Sequence, residues 1–253
     1  MKTDYGKEGI WLTRPDCPWP RHKSSPPSCS RLRHLTRGDD YSPAWSPNGK
    51  RIAFTRRDSS IYTVRASGRG LRFLARGVGP DWSSKGALAF TGPHGALQVR
   101  QPGGRRRTLA VAGVDPSWAP GGNRLAFLQV DKQTQTNKAL YTIRADGTGL
   151  RKLWESHDSN SEYAGAFSPS WSPDGQWVAF VKEIDPILSG PVYAVRPDGS
   201  GRRMLTFRPP DCRFCAGDLN FDSIAWQAVA ESQPFQGPRS NSVRSASRSL
   251  GGL

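Results

Sequence analysis

The chain has 253 residues, enough to bury a sizeable single core. Its 36 Lys and Arg against 21 Asp and Glu give a net charge of +15, which favours an anionic partner. No apolar run approaches the roughly 20 residues that span a bilayer, so we do not expect a transmembrane protein.

The first predicted elements are two short strands within residues 9–36, separated by a Pro-rich loop. From residue 41 onward the chain repeats one phrase four times, with copies that begin around positions 41, 79, 114 and 168. Such a period predicts a repeat architecture. Each copy opens on a Trp at the same place: Trp45, Trp82, Trp118 and Trp171.

Each copy predicts four short strands. Apolar runs such as 51–55 and 61–65 are too short for helices and are rich in Ile, Val, Tyr and Phe. Turn pairs such as Asn48-Gly49 and Asp198-Gly199 separate the strands and supply the positive φ that tight hairpins need. A unit of roughly 35 to 55 residues with four antiparallel strands has the size of one propeller blade.

The repeated phrase carries a family resemblance. The segments 43–50 (PAWSPNGK), 143–150 (IRADGTGL) and 170–175 (SWSPDG) resemble the WD40-like (PD40) repeat of TolB-like β-propellers. The resemblance covers about residues 9–230 and is weakest in 79–110, where SSKG replaces SPDG. It implies an all-β fold built from four-stranded antiparallel blades.

We expect about five blades in one domain, residues 1–230. Four are complete, at about 41–77, 78–111, 112–155 and 167–207, and one is split into 9–36 plus 220–230, with Trp226 in the repeat position. Pairing the two ends would close the ring and remove exposed strand edges.

The two ends of the chain leave one alternative open. No strand pattern precedes residue 9 where the split blade needs one, so the alternative is a six-bladed propeller shortened at its N-terminus. The polar residues 1–10 contain no secretory signal, which says little if the start is shortened. The Ser, Arg and Gly-rich composition of 231–253 predicts a disordered tail.

The four cysteines bear on the compartment. Cys17 and Cys29 bracket the Pro-rich loop, and Cys212 and Cys215 form a C-x-x-C before the last predicted strand. We expect structural disulfides that pair Cys17 with Cys29 and Cys212 with Cys215; cross-pairing, a zinc site and free thiols are the alternatives. Disulfides would indicate an extracytoplasmic protein, periplasmic or secreted.

The sequence shows no catalytic motif. It contains no G-x-S-x-G elbow, no H-E-x-x-H and no phosphate-binding loop. The four histidines occupy unrelated positions in the repeat and show no metal spacing: His22, His34, His94 and His157. We therefore expect no enzyme activity, no cofactor and no metal. Propellers that resemble this one also occur as accessory domains of serine peptidases, so such a domain without its catalytic half is an alternative.

Two faces of the predicted propeller differ in loop length. The connections after the second and fourth strands of each blade emerge together on one face, here called the long-loop face. Long connections on a rigid scaffold are a default binding site, here for a protein or peptide, although solvated loops without a ligand are the alternative. The predicted partner-binding residues are Trp154, Glu155, Asp158, Glu162, Tyr163, Glu183, Asp185, Asp211 and Phe214.

The opposite face, here called the arginine face, carries the hairpins between third and fourth strands. Its repeated positive charge favours an anionic polymer, a nucleic acid or a membrane surface. Arginines that serve only solubility are the alternative, because no aromatic residues are interleaved for base stacking. The predicted polyanion-binding residues are Arg69, Arg72, Arg105, Arg106, Arg107, Arg151, Lys152, Arg202 and Arg203.

These observations favour a monomeric, non-catalytic scaffold that binds a protein or peptide through the long-loop face. The resemblance implies an extracytoplasmic role in cell-envelope assemblies, where TolB propellers dock to lipoprotein and membrane-anchored partners. It covers only the propeller part of TolB itself. The alternatives are a surface-associated polyanion binder that uses the arginine face and a degenerate fragment without a function of its own.

Overall fold

The computed structural model describes residues 9–12, 33–110, 112–131, 137–156, 165–182 and 190–205. Throughout these ranges the regular elements are β-strands, apart from a short 3₁₀ helix at Pro93–Gly95. The predicted all-β fold is confirmed. No helix in the described ranges is long and apolar enough to cross a membrane.

Four antiparallel sheets of four strands each follow one another along the chain, and each is a simple up-and-down meander. The described residues begin with an antiparallel pair of short strands, β1 (Trp11–Leu12) and β2 (Arg33–His34), and blade 1 follows it. The strands of blade 1 are β3 (Asp40–Trp45), β4 (Arg51–Arg56), β5 (Ser60–Arg65) and β6 (Arg72–Arg76).

Blades 2, 3 and 4 repeat this order. The strands of blade 2 are β7 (Val78–Trp82), β8 (Leu88–Thr91), β9 (Leu97–Arg100) and β10 (Arg106–Ala110). Those of blade 3 are β11 (Gly113–Trp118), β12 (Arg124–Val130), β13 (Asn137–Arg144) and β14 (Arg151–Glu155). Those of blade 4 are β15 (Ala166–Trp171), β16 (Val178–Lys182), β17 (Val192–Val195) and β18 (Arg203–Met204).

Within residues 9–36, predicted to be the N-terminal half of the split blade, β1 and β2 form an antiparallel pair. Trp11 lies opposite His34, their rings stack at 4.2 Å, and the Leu35 amide donates to the Ile10 carbonyl at 2.8 Å. The predicted second half, residues 220–230 with Trp226, lies outside the described residues, as do all four cysteines and the tail. The fifth blade and the closure of the ring therefore stay predictions.

The core lies between blades, because the strands alternate apolar side chains onto both faces of every sheet. Phe54 is fully buried against Ile10 and Leu35 of the N-terminal pair. Its neighbour Ala53 faces the other way and joins a cluster with Phe90 of blade 2. The same pattern continues between blades 2 and 3 and between blades 3 and 4. Face-to-face packing thus stacks the blades in sequence.

The repeat tryptophans stand at these inter-blade contacts to different extents. Trp118 and Trp171 are buried in the clusters between blades 2 and 3 and between blades 3 and 4. Trp82 is half-buried against the cluster between blades 1 and 2, whereas Trp45 is 48% exposed.

The first strands of successive blades contact one another, β3 with β7, β7 with β11 and β11 with β15, so they line the centre. Each contains a bulge at which the register shifts before the repeat Trp. In every blade the bulge has a positive φ immediately before a proline: Ser42 (49°), Gly79 (60°), Asp115 (49°) and Ser168 (53°). The sequence analysis did not predict this bulge.

The Asp and Asn residues of the turns are held by local hydrogen bonds. Asp174 Oδ1 accepts from the Ser172 hydroxyl and from the Gln176 amide at 2.9 Å. The Ser172 Oγ also accepts from the Trp177 amide at 2.9 Å, which ties the turn to the next strand. Asn48 makes the equivalent bonds in blade 1. These side chains therefore act as turn residues.

Candidate functional site

Arginines occupy two repeated positions on the arginine face, one on each side of the hairpin between the third and fourth strands. The first position lies at the end of the third strand or immediately after it and contains Arg65, Arg100, Arg144 and Arg196. The second lies at the start of the fourth strand and contains Arg72, Arg107, Arg151 and Arg203. The structure gives the two positions different roles.

Arginines of the first position cross the tip of their own hairpin. Gly149 has a φ of +65°, and a Cβ there would lie 3.4 Å from the Arg144 guanidinium. Gly201 has a φ of +64°, and a Cβ there would lie 3.3 Å from Nε of Arg196. Glycine thus supplies both the left-handed turn and the room for the guanidinium.

In two places an arginine of the second position, or its equivalent in the N-terminal pair, contacts the next blade. Arg151 Nη1 donates to the Asp198 carbonyl in the hairpin of blade 4 at 3.1 Å. Arg33, the equivalent residue of the N-terminal pair, donates to the Ala66 carbonyl of blade 1. Arg203 instead lies over the Trp177 ring at 3.7 Å. Part of the arginine pattern therefore joins neighbouring blades.

Like charges face each other across the strands. The directly opposed arginine pairs are Arg51 with Arg65, Arg100 with Arg106, and Arg124 with Arg144. Directly opposed like charges destabilise a sheet. Within the described part of the chain none of these six arginines forms an ion pair; the ion pairs seen there are Arg56–Asp40, Arg57–Asp39, Arg76–Asp58 and Lys152–Glu155.

Three cavities form a basic band across blades 2, 3 and 4. A cavity of about 480 Å³ between blades 3 and 4 is lined by four arginines: Arg124, Arg144, Arg151 and Arg196. A cavity of about 370 Å³ between blades 2 and 3 shares Arg124 and Arg144 and adds Lys85 and Gln101. A third, of about 400 Å³, contains the run Arg105, Arg106 and Arg107.

Two aspartates line the first two cavities, and both are engaged in their turns. Asp198 Oδ1 accepts from the Ser200 amide at 2.8 Å and from its hydroxyl at 2.7 Å. Asp146 Oδ1 accepts from Thr148 in the same way. These hydrogen bonds, with the Ser200 and Thr148 hydroxyls contributing most, hold both carboxyl pKa values below their ordinary range. The band keeps an excess of positive charge.

All nine predicted polyanion-binding residues lie within the described ranges, and the structure divides them. Arg105, Arg106 and Arg107 share one cavity, and Arg151 lines another. Lys152 is paired with Glu155 at 2.5 Å, so its charge is partly offset. The remaining four line none of these three cavities: Arg69, Arg72, Arg202 and Arg203.

The sequence analysis missed Arg124, which lines two cavities. Its signal was the basic residue that opens the second strand, as Arg51 does in blade 1. Its place beside a second arginine could not be predicted from its position alone, because its opposition to Arg144 depends on the strand register.

Most of the predicted long-loop site lies outside the described residues, including Asp158, Glu162, Tyr163, Glu183, Asp185, Asp211 and Phe214. Of the two described members, Glu155 is bound to Lys152. Trp154 is 7% exposed and packs on Phe180 of blade 4 with ring centroids 5.1 Å apart. Its side chain lies in the core, because β14 extends through it to Glu155, and it is not part of an exposed binding surface.

Two aspartates, Asp81 on β7 and Asp115 on β11, lie on the first strands of blades 2 and 3, which line the centre. Asp81 accepts from the Trp118 amide at 2.7 Å, and removal from bulk water raises its pKa to about 6 despite that bond. Asp115 lies beside Gly79, and desolvation of its carboxylate by the surrounding protein also raises its pKa. No group of three His, Cys, Asp or Glu side chains in the described ranges is placed to hold a metal ion.

No family model matches the chain. A curated TolB homolog from Chlorobium luteolum is 32% identical over 153 residues, 59% of this chain and 26% of that protein. The Bacillus subtilis protein YuxL, described as an uncharacterized peptidase, is 29% identical over 104 residues, 40% of this chain and 15% of that protein. A putative TolB structure from Agrobacterium tumefaciens superposes with a TM-score of 0.56 at 18% identity, covering 70% of this chain and 66% of that one.

The matched part of the chain spans about a quarter or less of the two curated relatives. The structural likeness, at 18% identity, concerns the fold. The name of one of the relatives, the Bacillus subtilis protein, is that of an enzyme class.

Proposed function

Because this chain is a TolB-like β-propeller, we propose that it is a non-catalytic scaffold that binds an acidic protein or peptide through the arginine face. The observation that carries the proposal is the set of opposed arginine pairs in blades 1, 2 and 3. Each pair costs about 0.2 to 1 kcal/mol of sheet stability. An acidic ligand would turn this repulsion into attraction, because each of its carboxylates can accept hydrogen bonds from a guanidinium.

The shape of the band supports an extended acidic segment as partner. Its three cavities follow one another over blades 2, 3 and 4, and the middle one shares Arg124 and Arg144 with the first. The third shares Gln101 with the middle one and contains Arg106. A peptide with several carboxylates can therefore meet a guanidinium in each blade. The TolB-like resemblance supports a cell-envelope location outside the cytoplasm.

The long-loop face stays a predicted site for a protein partner, and the two faces are separable by mutation. The arginine-face variant replaces Arg105, Arg106 and Arg107 with Gln, and the long-loop variant replaces Tyr163 and Phe214 with Ser. The probe is fluorescent poly-L-glutamate, with binding followed by anisotropy at low salt. Three lost contacts of about 0.2 to 1 kcal/mol each predict a loss of roughly tenfold in affinity for the first variant.

The outcomes separate the candidate functions. The proposal expects the arginine-face variant to lose affinity and the long-loop variant to bind as the native chain does. Loss of binding in the long-loop variant alone would move the site to that face. Binding to anionic vesicles or polyphosphate without binding to poly-L-glutamate would favour the polyanion alternative instead.

A further inference from the structure

We infer that the cavity between blades 3 and 4 binds a compact phosphate monoester. This inference goes beyond the proposed function, since it concerns a small ligand and holds whether or not an acidic peptide binds the face. The cavity, here called the four-arginine cavity, has a volume of about 480 Å³ and is lined by Arg124, Arg144, Arg151 and Arg196.

Two of the four guanidiniums are held in place before any ligand arrives. Arg151 donates to the Asp198 carbonyl at 3.1 Å, and Arg196 lies over the Trp177 ring at 5.2 Å. Side chains that are already ordered lose less conformational entropy when a ligand binds. The cavity therefore has a partly preorganised donor set.

The other two guanidiniums are not engaged in a close ion pair within the described residues. Arg124 and Arg144 are directly opposed on β12 and β13, and neither forms an ion pair in the ranges that the structure describes. The acidic side chain in the lining, Asp198, uses Oδ1 to accept two hydrogen bonds from Ser200. Four positive charges against one carboxylate leave an excess that a ligand with two negative charges would reduce.

Phosphate chemistry fits this donor set better than a single carboxylate. A guanidinium donates two parallel hydrogen bonds to a phosphate, and a phosphate monoester carries nearly two charges at neutral pH. A carboxylate carries one charge. The volume lies within the usual range of roughly 300 to 1,000 Å³ for small-ligand sites, and Leu150 and Pro197 give an apolar wall for an organic group.

A tryptophan of blade 4 distinguishes the four-arginine cavity from the contacts between the earlier blades. Where Arg51 opens the second strand of blade 1 and Arg124 that of blade 3, Trp177 immediately precedes β16 in blade 4. That Trp holds Arg196 at its ring face and Arg203 at 3.7 Å. The exchange of a repeat arginine for Trp thus orders Arg196, which lines the cavity, and also Arg203, which lies outside the lining.

The test is titration of the full chain with phenyl phosphate by calorimetry at about 150 mM NaCl, where weak surface pairing is screened. We expect saturable binding of one phenyl phosphate per chain and at least tenfold weaker binding of benzoate. The variant R124Q/R144Q should lose at least tenfold in phenyl phosphate affinity. Its melting temperature without ligand should not fall, because an opposed like-charge pair is removed.

The matched control is R51Q/R65Q, which removes an equivalent opposed pair from blade 1, outside the cavity. It should bind phenyl phosphate as the native chain does. Equal loss in this control, several weak sites per chain, or unchanged affinity in R124Q/R144Q would overturn the inference. If R124Q/R144Q does not fold, R196Q decides by the same tenfold criterion. Poly-L-glutamate binding of the same variants keeps failure of the proposed function distinguishable from failure of this site.

Discussion

Asp81 makes stability depend on pH in a direction opposite to that of most surface carboxylates. Its carboxylate lies on a central strand, accepts from the Trp118 amide at 2.7 Å, and has a pKa raised by burial to about 6. A carboxyl with a higher pKa in the folded than in the unfolded chain lowers the free energy of unfolding as pH rises from the unfolded to the folded pKa, because the unfolded chain releases the proton first. The perturbation is Asp81→Asn, which keeps an amide oxygen to accept from Trp118 but cannot ionise.

The magnitude follows from the pKa values. Moving a carboxyl from its ordinary pKa of 3.8 to about 6 corresponds to about 3 kcal/mol at pH 8. Most of this penalty, about 2 kcal/mol, develops between about pH 4 and pH 6, where the carboxyl is ionised in the unfolded chain but still protonated in the folded one, and it levels off above pH 7. For a chain of this size, it amounts to about 4 to 8 °C in melting temperature. Asp81→Asn should therefore gain stability relative to the native chain as pH rises.

The assay is thermal unfolding of both proteins at pH 4.5, 6 and 8 in the same salt. Asp174→Asn is a control whose melting temperature relative to the native chain should stay nearly constant over this pH range, because the Ser172 hydroxyl and the Gln176 amide hold the Asp174 pKa below its ordinary value of 3.8. Stability from Asp174 is present above its unfolded pKa and is lost as pH falls through the folded value. If the difference in melting temperature between Asp81→Asn and the native chain is the same at pH 4.5, 6 and 8, the reasoning is refuted.

Three further substitutions test the packing account. Arg56→Met leaves the fully buried Asp40 carboxylate without its two guanidinium bonds of 2.7 and 3.0 Å, and urea unfolding should show a loss of about 3 to 5 kcal/mol; a loss under 1 would contradict a buried pair. Gly77→Ala places a Cβ 2.4 Å from the Thr91 carbonyl at a φ of +146° and should lower the melting temperature far more than Gly49→Ala, where nothing lies within 4 Å; equal effects would refute the clash. Phe180→Ala removes a fully buried ring between blades 3 and 4 and should lower the free energy of unfolding in urea by about 3 to 5 kcal/mol. Phe180→Leu keeps most of the buried volume and should lower it by less than about 1.5 kcal/mol; equal losses for the two variants would contradict the packing explanation.

The strands and hairpins could be predicted from the sequence because their signals are local. The Asn48-Gly49 pair fixes a tight turn through its own φ angles and side-chain bonds, whatever surrounds it. The bulge before the repeat Trp was not predicted. In the sequence it is marked only by a residue that precedes a proline, and such a residue normally prefers extended backbone. Ser42 and Asp115 adopt a φ of 49° there only in the context of the partner strand.

The candidate site was predicted in outline and not in detail for a related reason. The repeat position of Arg151 predicts a basic residue on the hairpin face, but its bond to the Asp198 carbonyl depends on how blade 4 packs on blade 3. Opposition of Arg124 and Arg144 depends on strand register. Trp154 was predicted as a loop residue, whereas the extent of β14 carries it into the core.

The most direct test of the central claim is the salt dependence of poly-L-glutamate binding. Binding that neutralises several guanidiniums releases counterions, so the logarithm of the association constant should fall linearly with the logarithm of the salt concentration. The account predicts a steep slope for the native chain and a clearly shallower one after Arg105, Arg106 and Arg107 are replaced with Gln. An affinity unchanged between 50 and 400 mM NaCl, or the same slope in both proteins, would contradict it.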